Sequence, residues 1–415
     1  MRIDSHKFKE RLEKEIKHIE NPSKDSDWSN LSGKNREKLL EYYNHLAGRG
    51  VSEGRVLKYL YTLKTIGKIL GKNFEDADKK DIERVLATLR SAKSPISKKA
   101  YTSNTMKDFK VVLKVFYKWL RNYPGKKAYP PEVDWFTCTI GKNEMEIKEI
   151  MKHEDVIKLI ESIPDVKFRA FFGLLYETAM RPEECLSIVW NDVQDIPKGK
   201  MIVVHGKTGA RVLYSFWSAK HLIAWMNIHP NMLRKSADPN MPLWVSRNVG
   251  DEILPLHYST VNQYFHKIVK QNELKFKKEP SMYILRRTRL TELLRIFPEG
   301  LVKLIAGHSK SSNTLGKYYN ALTSNDVYDA LASYYGISVK KAIQKDRVDL
   351  NMCPVCNAQV TPDQNYCVSC MTPLKQEYAQ KMKDLQKEYD DFISNPKNKE
   401  LIFQFIEFMH KQKKE

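Results

Sequence analysis

A chain of 415 residues exceeds the roughly 250 to 300 that one hydrophobic core serves, so two or three domains are expected. Hydrophobic residues at 42%, with 17 glycines and 18 prolines, exclude collagen-like and low-complexity chains. Neither an apolar leader nor a membrane-length apolar run is present, so the expected setting is cytoplasmic with no membrane partner. The 70 Lys and Arg against 50 Asp and Glu leave a formal +20, which points to a polyanion, nucleic acid ahead of an anionic membrane, because cationic side chains gain by releasing counterions from phosphates.

In chain order, residues 1–34 read as an N-terminal helical extension, followed by a helical bundle over 35–122. Asn35 to Leu46, Ser52 to Leu70 and Asp78 to Leu89 carry amphipathic helical periodicity, punctuated by Gly48, Gly50 and Gly71. From Lys93 to Lys127 there are ten basic residues against one acid, Asp108. On a helix begun near Ser103, Lys107, Lys110, Lys114, Lys118 and Arg121 form one stripe, and Phe109, Val112, Phe116 and Trp119 another. Solvated helix faces mix charge signs, so the unmixed stripe is expected to face DNA.

Tyr123-Pro-Gly and Tyr129-Pro-Pro interrupt all periodicity, which places a linker at 123–147, and helical pattern resumes near His153. The next domain, 148–345, is mainly helical but contains Met201-Ile-Val-Val and Arg211-Val-Leu-Tyr around Gly206-Lys207-Thr208-Gly209, a β-hairpin signature. The long helical run ends at Gly336.

Cys353-Pro-Val-Cys356 and Cys367-Val-Ser-Cys370 lie ten residues apart. A CxxC turn brings two sulfurs to one metal and its amides onto those sulfurs, so the four thiolates are expected to hold Zn²⁺ in a ribbon over 346–375. Four protein ligands close the coordination sphere, which makes the metal structural. A helical tail, 376–415, follows, with an apolar segment at Leu401 to Met409. Cys138 and Cys185 stand alone and read as packed or idle thiols.

Four arginines sit where cations oppose a helix dipole. Arg181 directly precedes Pro182-Glu183-Glu184, a helix-start signature, and Arg286, Arg287 and Arg289 crowd the opening turns of a helix expected near Ser281. Either a bound anion or salt bridges to acids such as Glu184 and Glu292 would offset that opposition. At this point the residues resemble a family, the tyrosine recombinases or phage-type integrases. Thr178-Ala-Met-Arg181-Pro-Glu-Glu184-Cys-Leu-Ser is similar to the box T-G-x-R-x-x-E-x-x-x-L, and Tyr283-Ile-Leu-Arg286-Arg287-Thr-Arg-Leu-Thr291 resembles H-x-L-R-H-[ST]-x-x-T. Lys207 resembles the family's hairpin lysine, and Gly307-His308 its G-H/W element. Tyr318-Tyr319, followed by the cysteine-rich tail, resembles archaeal integrases in particular.

The resemblance implies a mainly α multidomain protein: a SAM-like helical core-binding domain, a mostly α catalytic domain with a small β-hairpin or sheet, a zinc ribbon and a helical tail. It implies double-stranded DNA as substrate and a homo-oligomer on it, a tetramer or dimer of dimers. Arg181 and Arg286 would clamp the phosphate oxygens, His308 would add a hydrogen bond, and Lys207 would protonate the leaving 5′ oxygen. Tyr318, ten positions after His308 as in archaeal members, would attack phosphorus, with Tyr319 as its rival. No ATP and no catalytic metal are called for. Tyr283 departs from the family by replacing a histidine with a phenol, which leaves it hydrogen bonding rather than base catalysis, and Arg287 replaces a second histidine. Arg287 and Arg289 are further candidates for DNA contact. Two other readings stay open: a DNA-binding regulator of the same fold without catalysis, and a type IB topoisomerase-like enzyme.

Overall fold

Helix signals written into the first third of the chain become a bundle of six helices in the computed structural model. That structure describes residues 4, 6–95, 98–125, 127–139, 149–206, 209–234, 236–246, 253–276, 279–309, 311–313, 315, 350–395 and 398, to which all that follows refers. The chain divides into two compact units, His6–Ile147 and a second that holds 148–415.

The first unit contains α1 (Phe8–Glu20), α2 (Gly33–Gly48), α3 (Glu53–Leu70), α4 (Lys79–Ser91), α5 (Ser103–Leu120) and α6 (Pro131–Asp134). Capping sets the starts: Ser32 accepts from the Asn35 amide, Asp78 and Asp81 exchange a capping box, and Thr102 accepts from the Thr105 amide. One core joins Leu12 and Ile19 of α1 to Trp28, Tyr42, Leu63, Phe74, Val85 and Phe116. The N-terminal extension is therefore no appendage. Its Leu12, Ile19, Trp28 and Leu31 are buried in the same core.

The expected linker also differs. Its first part folds back onto the bundle, since Val133 at 0% and Phe136 at 5% exposure are buried in this core and α6 packs on α4 and α5. Pro130 and Pro131, which break periodicity, serve here to start α6.

The second unit is built around α8 (Val166–Thr178), a helix apolar on nearly every side, with α7 (His153–Glu161), α10 (Ala219–Asn227) and α12 (Tyr283–Ile296) packed on it. The remaining helices are α9 (Pro182–Leu186), α11 (Tyr258–Gln271), α13 (Glu299–Ala306) and, after the cysteines, α14 (Gln376–Ser394). The hairpin forms as β2 (Gly199–Gly206) and β3 (Gly209–Ser215), with Gly206 paired to Gly209, and β1 (Val193–Ile196) adds a third antiparallel strand in the order β1-β2-β3. Ile202, Val204 and Leu213 face the core from this sheet. A second, two-stranded sheet, β4 (Asn351–Met352) with β5 (Gln359–Val360), belongs to the cysteine ribbon. Leu350 is buried with Ala219 and Ile223 of α10, so the ribbon is seated on the helical core of its own unit. No described helix is long and apolar enough to cross a membrane.

Candidate active site

Four stretches far apart in sequence meet around one buried carboxylate. Arg181 is the N-cap of α9, and its backbone N–H donates to Glu184 Oε2 at 2.9 Å while its Nη1 donates to Oε1 at 2.8 Å. Arg211 on β3 donates to the same carboxylate, Nη2 to Oε2 at 2.7 Å and Nη1 to Oε1 at 3.2 Å. Burial alone would raise the Glu184 carboxyl, but the Arg211 hydrogen bonds and the two cations outweigh it and hold it below its ordinary value. One ionised carboxylate thus holds two guanidinium groups side by side.

Two glycines make the approach possible. A Cβ on Gly206 would lie 2.6 Å from Glu184 Oε1, and one on Gly307 would lie 2.7 Å from Arg211 Nη1. Gly307 also ends α13 with φ 64°, the left-handed region that suits glycine.

Arg286, on α12, has no solvent exposure. Its Nη1 donates to the Ala179 carbonyl, and its Nη2 donates to the Ala306 carbonyl at 2.7 Å. Ala179 is the C-cap of α8 and Ala306 the last residue of α13, so the negative ends of two helix dipoles converge on the buried cation. Arg211 Nε uses the same end of α13, donating to Ile305 O at 3.1 Å. His308 Nε2 lies 3.4 Å from Arg286 Nη2. Burial first, and then the cations Arg286, Arg181 and Arg211, push His308 down to about 4, so its imidazole is neutral near pH 7. A neutral ring among arginines keeps one N–H to donate and adds no further charge.

The structure thus brings Arg181, Arg286 and His308 together and adds Arg211 and Glu184. Of the two explanations for cations at helix starts, salt bridges hold for Arg181 with Glu184 and for Arg289 with Glu292, the latter at 3.2 Å. Arg289 is directed inward, its Nε donating to Glu177 O at 3.3 Å and its guanidinium stacked on Tyr176 at 5.5 Å. Arg287 donates to Glu149 O at 3.2 Å. Tyr283 donates its phenolic hydrogen to Glu183 Oε2 at 2.7 Å, joining the start of α12 to α9. Lys207, Tyr318 and Tyr319 lie outside the described residues.

The cations of the α5 stripe have partners within their own unit. Arg121 is ion-paired to Glu132 at 2.8 Å and donates to the carbonyls of Glu75 and Ala77. Lys118 bonds the carbonyls of Gly125 and Ala128, and Lys114 lies over Tyr129 at 4.6 Å and Phe136 at 5.0 Å. Lys110 lies 5.8 Å from the centre of the Phe136 ring. The chain after α5 folds back over this face, so the cations hold that segment; Lys107 and Arg121 are exposed, and Lys110, Lys114 and Lys118 are half-buried. Spacing along one helix carries no information about a later segment covering it.

The cysteines form two matching knuckles. In each, the first cysteine's N–H donates five residues ahead, Cys353 to Ala358 O and Cys367 to Thr372 O, both at 2.8 Å. In each, the residue after the second cysteine is left-handed, Asn357 at φ 60° and Met371 at φ 58°. Amides of Cys356 and Val355 pull the Cys353 thiol down. All four sulfurs lie within 4.8 Å of one another, a spacing that suits a tetrahedral ion with about 2.3 Å bonds to sulfur. Cys185 is buried and Cys138 half-buried, neither in a disulfide.

Residues 143–325 match the model of the phage integrase family. Among curated proteins, the tyrosine recombinase XerC of Bacillus subtilis (strain 168) is 24% identical over 323 residues, covering 74% of this chain and 98% of that protein. Among solved structures, the XerH site-specific recombinase bound to palindromic difH substrate aligns with a TM-score of 0.52 at 13% identity, over 81% of this chain and 98% of that one. A lambda integrase dimer bound to a COC′ core site aligns with a TM-score of 0.53 at 16% identity, over 81% and 89% of the two chains. At these identities the structural likeness is one of fold.

Proposed function

Because residues 143–325 match the model of the phage integrase family, we propose that this chain is a tyrosine site-specific recombinase, cutting and rejoining double-stranded DNA through a 3′-phosphotyrosyl intermediate. The observation that carries the proposal is the convergence of Arg181, Arg286 and neutral His308 beside the Arg211–Glu184 pair. A phosphodiester resists nucleophiles because it is anionic, and fixed cations with an N–H donor lower the energy of the more highly charged pentacoordinate state. Arg181, its side chain 26% exposed, meets the phosphate from the solvent side, while Arg286 and His308 supply charge and a hydrogen bond from within.

Tyr318 attacks phosphorus and the 5′ oxygen departs with a proton from Lys207; the phosphotyrosyl ester conserves the energy of the broken bond, so rejoining draws on no ATP. Tyr283 acts through Glu183 as a positioning residue for α9, which carries Arg181. Recombinases of this fold in the solved structures are bound to DNA as a dimer and a tetramer, and the same assembly, a homo-oligomer on DNA, is proposed here. Lys107, with Lys110 beside it, is the part of the α5 stripe proposed to meet phosphates. Cys353, Cys356, Cys367 and Cys370 would hold a structural zinc ion, which supplies a cross-link and no step of the reaction. The order of boxes followed by a cysteine-rich tail supports an archaeal-type member acting in the cytoplasm.

A nicked suicide substrate tests the chemistry. Tyr318→Phe should abolish the covalent protein–DNA adduct and leave DNA binding intact, and Tyr319→Phe should leave both adduct and binding intact. An adduct that survives Tyr318→Phe moves the nucleophile to Tyr319, and binding with no adduct from the unmodified chain overturns the enzyme in favour of a regulator.

A further inference from the structure

Helix α14 has 19 residues and buries none of them. In proteins most helical stability comes from an apolar face packed against something else rather than from propensity. Along α14, Met382, Leu385, Tyr389 and Phe392 are 45%, 59%, 58% and 51% exposed, at spacings of three, four and three. Tyr378, four residues before Met382, continues the stripe into the ribbon, where its ring meets Tyr366 edge-on at 5.3 Å. Alternating spacings of three and four form the seam of a helix that packs lengthwise against another helix.

Charge indicates which helix that is. From Lys375 to Lys383 there are three lysines (Lys375, Lys381, Lys383) and one acid, Glu377, whereas from Asp384 to Asn395 there are four acids (Asp384, Glu388, Asp390, Asp391) and one lysine, Lys387. The first half is basic and the second acidic, the reverse of what a lone helix dipole favours. An antiparallel copy removes the conflict, because each basic half then lies along an acidic half. We propose that α14 pairs antiparallel with α14 of a second copy of this chain, about a two-fold axis between Met382 and Leu385. In that register Met382 faces Leu385 of the second copy, Tyr378 faces Tyr389, and Lys381 at the edge of the seam meets Glu388 twice, once on each side. A parallel pair instead sets Lys381 by Gln386 and Glu388 by Ile393, with no opposite charges met. A fold-back of residues 401–415 onto the stripe would lay Lys411, Lys413 and Lys414 along the basic half, like charge on like.

The pairing needs no DNA, which separates its test from that of the recombinase reading. Sedimentation equilibrium of the full chain without DNA should show a concentration-dependent dimer. Lys381→Glu or Glu388→Lys alone should weaken it about tenfold, since two attractive contacts become repulsive, and the double reversal should restore it. The restoration sets this apart from a loss of folding. A monomer at all concentrations, a dimer indifferent to both single reversals, or a chain ended after Asn398 that dimerises where the full chain does not, each overturns the proposal; the last would show that residues 399–415 cover the stripe.

Discussion

At the scale of single residues, the site depends on what is missing as much as on what is present. Gly307→Ala should force a left-handed alanine and push Arg211 aside, at a cost of about 2–3 kcal/mol in urea unfolding, and should slow adduct formation. His308 gives a signed pH effect. Its folded value, about 4, lies below the ordinary 6.5, so the unfolded chain takes up the proton more readily. The stability that keeps the ring neutral is fully present above about pH 6.5 and is lost progressively as pH falls toward 4. In His308→Asn that part of the stability–pH profile should flatten, measured by urea unfolding from pH 7 to 4. Glu184, also held low, acts in the same direction further down, losing its contribution as pH falls through its own folded value. Met371, 66% exposed in a left-handed turn, makes the opposite case: Met371→Gly should stabilise the ribbon by about 0.5–1 kcal/mol in thermal unfolding of the zinc-loaded chain.

At the scale of elements, what could be read from sequence divides by range. Thr102 before α5, Pro182 at the start of α9, the Gly206–Gly209 turn and the two CxxC knuckles are local signals, and the elements they specify form where they stand. The carbonyl cage around Arg286 could not be read that way, because it needs the ends of α8 and α13 to meet, and their carbonyls are common to every residue type. The fold-back of residues 127–136 is another such event. It braces Arg121 against Glu132 and two backbone carbonyls. Arg121→Ala should therefore cost about 1–2 kcal/mol in stability by leaving Glu132 and two carbonyls unmet, and should scarcely change the salt dependence of DNA binding. A loss of salt slope equal to one phosphate contact, with stability unchanged, would reverse that assignment.

At the scale of the molecule, the two units have separate hydrophobic cores, with no residue common to both. Calorimetry of the full chain should resolve two transitions. Leu60→Ala should lower one by several degrees and Leu175→Ala the other, as expected for buried leucines with 0% exposure whose truncation costs about 2–5 kcal/mol. A single transition moved equally by both would mean that the cores unfold together.

Leu315 is buried against Ala179, Leu290, Leu293, Val302 and Ala306, and Leu350 against Ala219 and Ile223, so both residues are seated on helices of one unit. Leu350 leads directly into β4, and β5, its partner, lies between the two pairs of cysteines. A metal that closes the four thiolates would therefore brace the seat of Leu350 on α10 as well as the ribbon itself. Its removal would be felt in the packing of a helix that offers it no ligand.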